Sequence, residues 1–245
     1  MNFPRKRLDL IIVEKALAAS RERARALIMS GRVLVNGQVV DKPGAAMTAD
    51  SLIEVSGADL PYVSRGGLKL EGALKDFALE VSGWVCLDVG ASTGGFTDCL
   101  LQKGASRVYA VDVGYGQLAW SLRRDSRVVV IERTNIRHMP GERIPEAVDL
   151  ITIDVSFISL KIVVPAVLKF LKPDGRILAL VKPQFEVGKG QVGKGGVVRN
   201  AEQHSRVIAE LNLFFRSLGL ECVGAVPSPI DGPKGNKEFF MLLNA

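Results

Sequence analysis

The feature that most constrains this chain is Leu87-Asp88-Val89-Gly90-Ala91-Ser92-Thr93-Gly94-Gly95-Phe96, an apolar strand pattern that runs into a glycine-rich turn opening a helix. Eighteen residues after Gly90, the run Val108-Tyr109-Ala110-Val111-Asp112 reads as a second apolar strand ending in a carboxylate. Open α/β sheets bind nucleoside cofactors at the carboxyl ends of such strands. The first turn lets a ligand approach the backbone, and the later acid holds a ribose. The spacing therefore predicts a nucleotide-type cofactor. It departs from the dinucleotide fingerprint, because Ser92 stands where that pattern needs its second glycine.

The surrounding sequence supports an α/β fold. Strand patterns near 85–89, 107–112, 128–132, 149–154 and 176–181 alternate with helical ones, which predicts a mostly parallel, Rossmann-like sheet. Segments 220–227 and 238–243 read as a closing pair with one antiparallel edge strand. The first sixty residues are too few for such a sheet and predict a small α+β domain. There Leu8, Ile11, Ile12 and Ala16 share a helical face, and Ser20 caps a second helix, Arg21 to Ser30, ended by Gly31. Val33 to Val40 is a hairpin around Asn36-Gly37. The expected domains are 1–60 and 64–245.

Composition sets outer limits. At 47% hydrophobic the 245 residues can bury a substantial core. The longest apolar runs are interrupted too early for a bilayer, which needs about 20 residues. Arg5-Lys6-Arg7 before apolar residues imitates a signal peptide, but Asp9, Glu14 and Lys15 break the stretch, and an amphipathic helix fits better. Cys86, Cys99 and Cys222 are scattered, so neither a disulfide framework nor a zinc site is expected; no metal, no membrane, a cytoplasmic location and a monomer are the expectations. The net charge of +6 suits a polyanionic partner without identifying one. Through residue 60, nine basic and seven acidic residues leave only +2. On the second helix Arg21 and Arg25 share a face, Arg23 lies away from them, and Arg32 follows the helix end.

Three chemical groups fall at strand mouths on one sheet edge: Asp154 after the fourth strand, Lys182 after the fifth, and Glu238 at the start of the last, if that strand is antiparallel. Lys69, in Ser64-Arg65-Gly66-Gly67-Leu68-Lys69, precedes the sheet and is not placed by pattern. Residues 188–195 imitate a dinucleotide turn and a phosphate loop. They follow the fifth strand rather than the first, and Gly195 stands where Ser or Thr would bind magnesium. They read as a basic glycine loop, with Lys189 and Lys194 as candidate RNA contacts.

Two resemblances sharpen this reading. Arg7-Leu8-Asp9, Ser20 to Ile28 and Gly31 to Gly37 resemble the small S-four ribosomal-protein type of RNA-binding domain. That resemblance implies phosphate contacts from Arg21, Arg25 and Arg32, with Arg5, Lys6, Arg7 and Arg65 as further candidates. Over essentially its whole length the chain resembles the TlyA (haemolysin A) family, whose catalytic domain is similar to the FtsJ class of ribose 2′-O-methyltransferases. The matching pieces are Ser64 to Leu70, Asp88 to Asp98, Ile153 to Leu160 and Lys182 to Glu186. Lys69, Asp154, Lys182 and Glu238 match the class's Lys-Asp-Lys-Glu tetrad in order. The resemblance implies S-adenosylmethionine as cofactor, ribosomal RNA within ribosomal subunits as partner, and a cytidine 2′-hydroxyl as acceptor. The short run before the first motif resembles the family's shorter forms, which implies large-subunit RNA. Gly90, Ala91, Ser92, Thr93, Gly94, Gly95 and Phe96 would underlie the methionine portion. Asp112 would hold the ribose, Asn135 would contact the adenine, and Asp154 would border the sulfonium. Lys182 is left as either proton acceptor or orienting cation. Two other readings stay open: a catalytically silent RNA-binding assembly factor, and a membrane-lytic protein.

Overall fold

The computed structural model describes residues 5–18, 20–29, 31–48, 50–55, 61–188, 190–193 and 195–245. Lys189 and Lys194, named above as RNA contacts, and Ser30, the expected end of the second helix, lie outside the described residues. The chain divides into two compact units, Met1–Ser64 and Arg65–Ala245.

In the first unit Arg5–Arg7, expected to open a helix, is instead a strand, β1. All three side chains are exposed, and the backbone pairs antiparallel with β4, Ala46–Thr48. Helix α1, Leu8–Glu14, begins where the apolar face begins and buries Leu8, Ile11 and Ile12. The expected fourth member of that face, Ala16, lies beyond the helix end with φ +54° and is exposed. Helix α2, Arg21–Met29, starts at Ser20, whose Oγ accepts the Arg23 N–H at 3.1 Å. Past its end Gly31 turns left-handed, and the N–H groups of Gly31 and Arg32 reach back to the carbonyls of Ile28 and Leu27. Strands β2, Val33–Val35, and β3, Gln38–Val39, flank Asn36 and Gly37 at φ +51° and +78°, the left-handed pair that a two-residue hairpin demands. Strand β5, Ile53–Val55, pairs with the other edge of β2. Leu8, Ile12, Leu27, Ile28 and Val33 make the dry centre.

The second unit opens with α3, Gly66–Asp76, and then builds β6 Val85–Val89, α4 Gly95–Gln102, β7 Arg107–Val111, α5 Trp120–Arg123 and β8 Val128–Ile131. There follow β9 Val148–Ile153, α6 Leu160–Val167, β10 Leu171–Val181, α7 Pro183–Glu186, α8 Ala201–Ser217, β11 Glu221–Pro227 and β12 Phe239–Asn244. The sheet order is β11-β12-β10-β9-β6-β7-β8. The one antiparallel strand, β12, lies toward the first-named edge, between β11 and β10. The chain runs outward from β6 through β7 and β8, then returns to lay β9 on the other side of β6. The crevice at the carboxyl ends of β6 and β9 is thus the switch point where open α/β sheets bind ligands.

Two departures from the expected alternation have local causes. No α-helix joins β8 to β9; Pro140 and Pro145 remove backbone donors there, and the link is made of short 3₁₀ turns, Ile136–His138 and Gly141–Arg143. Strand β10 starts earlier than its apolar core, with a register shift between Leu171 and Arg176 around Pro173 and Gly175. The buried face joins Leu87, Ile151, Ile153, Ile177 and Val181 of the sheet to Val163, Val164 and Val167 of α6 and Val207, Leu211 and Phe215 of α8.

Candidate functional site

The turn after β6 has little room for side chains. Gly90 sits at φ +87°, and a Cβ there would lie 2.3 Å from the carbonyl oxygen of Asp154. At Gly94, φ +99°, a Cβ would strike Leu122 at the same distance. The turn is hung on β7 by the N–H groups of Gly90 and Ala91, which both donate to the Val111 carbonyl. Asp112 completes the attachment: its two carboxylate oxygens accept the N–H of Ser92 at 2.7 Å and of Gly114 at 2.6 Å. The residue expected to hold a ribose therefore also fixes the glycine turn, with a further lone pair on each oxygen. Asn135 caps the turn after β8, its Oδ1 accepting the Arg137 N–H. Beneath the turn Asp88 is fully buried, receives the hydroxyls of Thr97 and Thr152, and is pushed up to about 7 by burial.

The four sequence-predicted groups form two ion pairs. Asp154, just past β9, meets Lys182, just past β10, with Oδ1 and Nζ 2.6 Å apart. Lys182 Nζ also donates to Ser156 Oγ at 3.0 Å. Lys69, on α3, meets Glu238 at the entrance of β12, with 2.5 Å between Nζ and Oε2. Both members of this second pair are buried. Antiparallel pairing of Val181 with Phe239 carries Lys182 and Glu238 onto facing positions of neighbouring strands. Glu238 Oε1 is buried and has no hydrogen-bond partner among the described residues. The backbone of Gly232 presses on it, since a Cβ there would lie 2.1 Å from Oε1.

An aromatic surface borders Lys182. Phe157 is 90% exposed and held at φ +64°, with its ring 4.9 Å from that of Phe185. A large apolar side chain in water, on a backbone that non-glycine residues avoid, is a pattern found where a ligand is clamped. Glu186 fastens this loop, taking the Ser159 hydroxyl at 2.6 Å and the Leu160 N–H at 2.8 Å at the start of α6. Burial raises its carboxyl.

In the first unit three of the candidate cations, Lys6, Arg7 and Arg21, are held in ion pairs. Arg7 grips Asp9 with two N–H groups at 3.0 and 2.9 Å, and Arg21 adds a third at 3.0 Å. Asp9 is buried, and the Arg7 guanidinium first, then that of Arg21, holds its carboxyl down to about 2. Lys6 pairs with Glu14, Arg5 and Arg25 are exposed, and Arg32 is half-buried. Arg65, in the second unit, is exposed at the start of α3. The depressed Asp9 carboxyl contributes stability above its unfolded value near 4, and that contribution is lost as pH falls toward 2. The half-exposed guanidiniums limit it to about 1–2 kcal/mol. Asp9→Asn should therefore unfold more easily than the wild type at pH 6, with the difference vanishing near pH 2. Denaturant titrations across that range check it.

Comparison with known proteins assigns both units. The FtsJ-like methyltransferase family matches residues 62–245, three-quarters of the chain. The chain belongs to the FtsJ-like methyltransferase family. The S4 domain matches residues 6–48, ahead of it. The 16S/23S rRNA (cytidine-2′-O)-methyltransferase TlyA of Mycobacterium tuberculosis is 50% identical over 98% of this chain and 90% of its own. Hemolysin A of Brachyspira hyodysenteriae is 40% identical over 95% of this chain and 97% of its own. A solved structure from Streptococcus thermophilus superposes with a TM-score of 0.77 at 43% identity, covering 99% of this chain and 89% of the other. Among the described residues no helix is long and apolar enough to cross a membrane.

Several residues at this methyltransferase's sheet edge have partners that the sequence reading did not anticipate. Asp88 and Glu186 lie inside quoted motifs, but their buried contacts come from other strands and helices. Ser156 and Phe157 come two and three residues after Asp154, and the visible signal was an apolar Phe where a strand mouth should be polar. Asp9 looked like an interruption of an apolar stretch and is instead the buried anchor of two arginines.

Proposed function

We infer that this chain transfers a methyl group from S-adenosylmethionine to a ribose 2′-hydroxyl of ribosomal RNA, with cytidine as the acceptor nucleotide. The observation that carries the reading is the gathering of the partly exposed Asp154–Lys182 pair at the mouths of β9 and β10 beside the buried Lys69–Glu238 pair at the entrance of β12. The donor set suits the cofactor. The side-chain-poor turn from Gly90 to Phe96 leaves backbone to lie against the methionine portion, Asp112 keeps lone pairs for ribose hydroxyls, and Asn135 faces the adenine role. Asp154, only partly exposed, suits a neighbouring positive centre. When bound, S-adenosylmethionine supplies a methyl group activated by a sulfonium.

The chain's own residues then align and stabilise. A 2′-hydroxyl is a weak nucleophile, so holding its oxygen in line provides much of the rate. Lysine has three N–H donors. Two of those on Lys182 are directed at Asp154 and Ser156, which leaves one for the attacking oxygen. We assign Lys182 orientation of the hydroxyl, whose proton passes to water as the new carbon–oxygen bond forms and the carbon–sulfur bond breaks, and stabilisation of the charge that this proton loss leaves on the oxygen; a neutral amine would strand Asp154 beside it. Glu238 holds Lys69 in place from a side chain that has no exposure of its own. Phe157 offers a face on which a nucleobase stacks.

In this reading the first domain, residues 1–60, holds RNA through Arg21, Arg25 and Arg32, with Arg5, Lys6 and Arg7 beside them, and residues 64–245 perform the chemistry with Arg65 as a further contact. Arg21→Gln with Arg25→Gln should weaken RNA binding about 10-fold or more near physiological salt, and flatten its salt dependence by about two phosphate contacts. Cofactor affinity should not move. Filter binding over a salt series checks it. The reading itself is tested by incubating the purified chain with tritiated S-adenosylmethionine and ribosomal subunits from cells lacking it. Label in RNA is expected; leakage of liposomes with no label in RNA would favour the membrane-lytic alternative.

A further inference from the structure

Asn236 is among the few polar side chains that are almost fully buried in the second unit, and no role assigned above uses it. Its three hydrogen bonds join two segments. Oδ1 accepts the N–H of Val198 at 3.1 Å, and Nδ2 donates to the carbonyls of Gly196 and Pro233, each at 3.1 Å. Its own carbonyl accepts the N–H of Gly232 at 2.8 Å. One amide side chain therefore fastens the glycine loop after α7 to the turn that leads into β12.

Both fastened segments touch groups with work to do. On one side, the turn held by Asn236 contains Gly232, whose backbone abuts Glu238 Oε1. The segment is closed at its base by Ser228 N–H donating to the Glu238 carbonyl at 2.8 Å. On the other side, Val198 is held by both of its backbone groups, since His204 Nε2 lies 2.9 Å from its carbonyl. Val197 and Val198 are buried, so this is a fixed root. Beyond it Gly190, Gly195 and Gly196 have positive φ and open space where a Cβ would lie. Lys234, from the same turn, donates to the Gly195 carbonyl at 3.0 Å.

We propose that Asn236 is a positioning residue that sets the glycine loop and the Glu238 carboxylate together, so that RNA backbone seated against the loop arrives in register with the Lys69–Glu238 pair. The proposal rests on the methyltransferase reading above and adds a coupling to it. At Gly190, Gly195 and Gly196 the loop offers backbone without a side chain, which suits the sugar-phosphate chain of RNA, recognised by shape rather than by base. The amide is suited to the task because it presents one acceptor and two donors from a rigid plane. Neither Asp nor Ala reproduces that set.

Asn236→Asp and Asn236→Ala are the tests, with labelled methyl transfer from S-adenosylmethionine to ribosomal subunits lacking the modification. The Asp variant keeps the acceptor for Val198 but aims a carboxylate at two carbonyls, so it is expected to be at least as impaired as Ala. The expected result is a kcat lowered about 10- to 100-fold with a raised KM for RNA. The KM for S-adenosylmethionine should stay within about twofold, and hydrogen exchange should quicken at Gly193 and Val198 but not in β6 or β9. Wild-type kinetics in both folded variants would overturn the proposal. So would a loss of cofactor binding in step with activity, the mark of mere unfolding. A wild-type chain that transfers no methyl would remove the reading beneath it, whereas unchanged variants of an active wild type would remove the coupling alone.

Discussion

Lys182→Ala is expected to slow methyl transfer to ribosomal RNA by about 10²- to 10³-fold, the usual consequence of removing one preorganised donor from a developing oxyanion. The fold should survive. The Asp154 side chain is 24% exposed and can turn to water when its partner is removed, so the cost in stability is about 1–2 kcal/mol rather than that of a sealed charge. Cofactor affinity should change little, because Lys182 is directed at Asp154 and Ser156 rather than at the glycine turn. Lys182→Arg should not restore the rate: the planar fork cannot meet a carboxylate, a hydroxyl and a substrate oxygen arranged around a point charge. Single-turnover transfer, with equilibrium binding of S-adenosylmethionine and thermal unfolding on the same samples, separates the three effects.

The Lys69–Glu238 pair should behave in the opposite way. Here the Glu238 side chain has no exposure at all, so Lys69→Met leaves a carboxylate sealed beside Gly232 with no counter-charge. A loss of about 3–5 kcal/mol follows, or roughly 10 °C in the unfolding midpoint for a unit of this size. Lys69→Met with Glu238→Leu removes both charges and should recover most of that stability, yet transfer no methyl. A stable but inactive double variant would separate what the pair does for chemistry from what it does for folding. If the double variant were as unstable as the single one, the pair would be a structural clamp.

What the sequence revealed, and what it did not, follows from the range of each signal. The turn from Gly90 to Gly95 was legible because positive φ and close backbone approach select glycine locally, and the hairpin at Asn36-Gly37 was legible for the same reason. Strand mouths at Asp154 and Lys182 could be read from where apolar runs end. The partner of Lys69 could not: 169 residues separate it from Glu238, and only the docking of α3 and the antiparallel course of β12 bring the two together. Asp112 shows a different limit. Its place at the end of β7 was predictable, but its hold on Ser92 and Gly114 depends on how the two loops cross. Strand β1 was missed because three consecutive cations carry no alternating pattern, and their pairing is set by Ala46–Thr48 some forty residues away. Asn236 carries no motif at all, since its function is to join two loops.

The central claim is that two lysines and two acids at the switch point direct a methyl group to a ribose oxygen of ribosomal RNA. Nucleoside mass spectrometry of subunits lacking the modification, after incubation with the chain and S-adenosylmethionine, tests it most directly. A 2′-O-methylcytidine that appears with the wild type and is lost with Lys182→Ala is the predicted result. Methyl found on a nucleobase, or 2′-O-methylation that persists in Lys182→Ala, would contradict it.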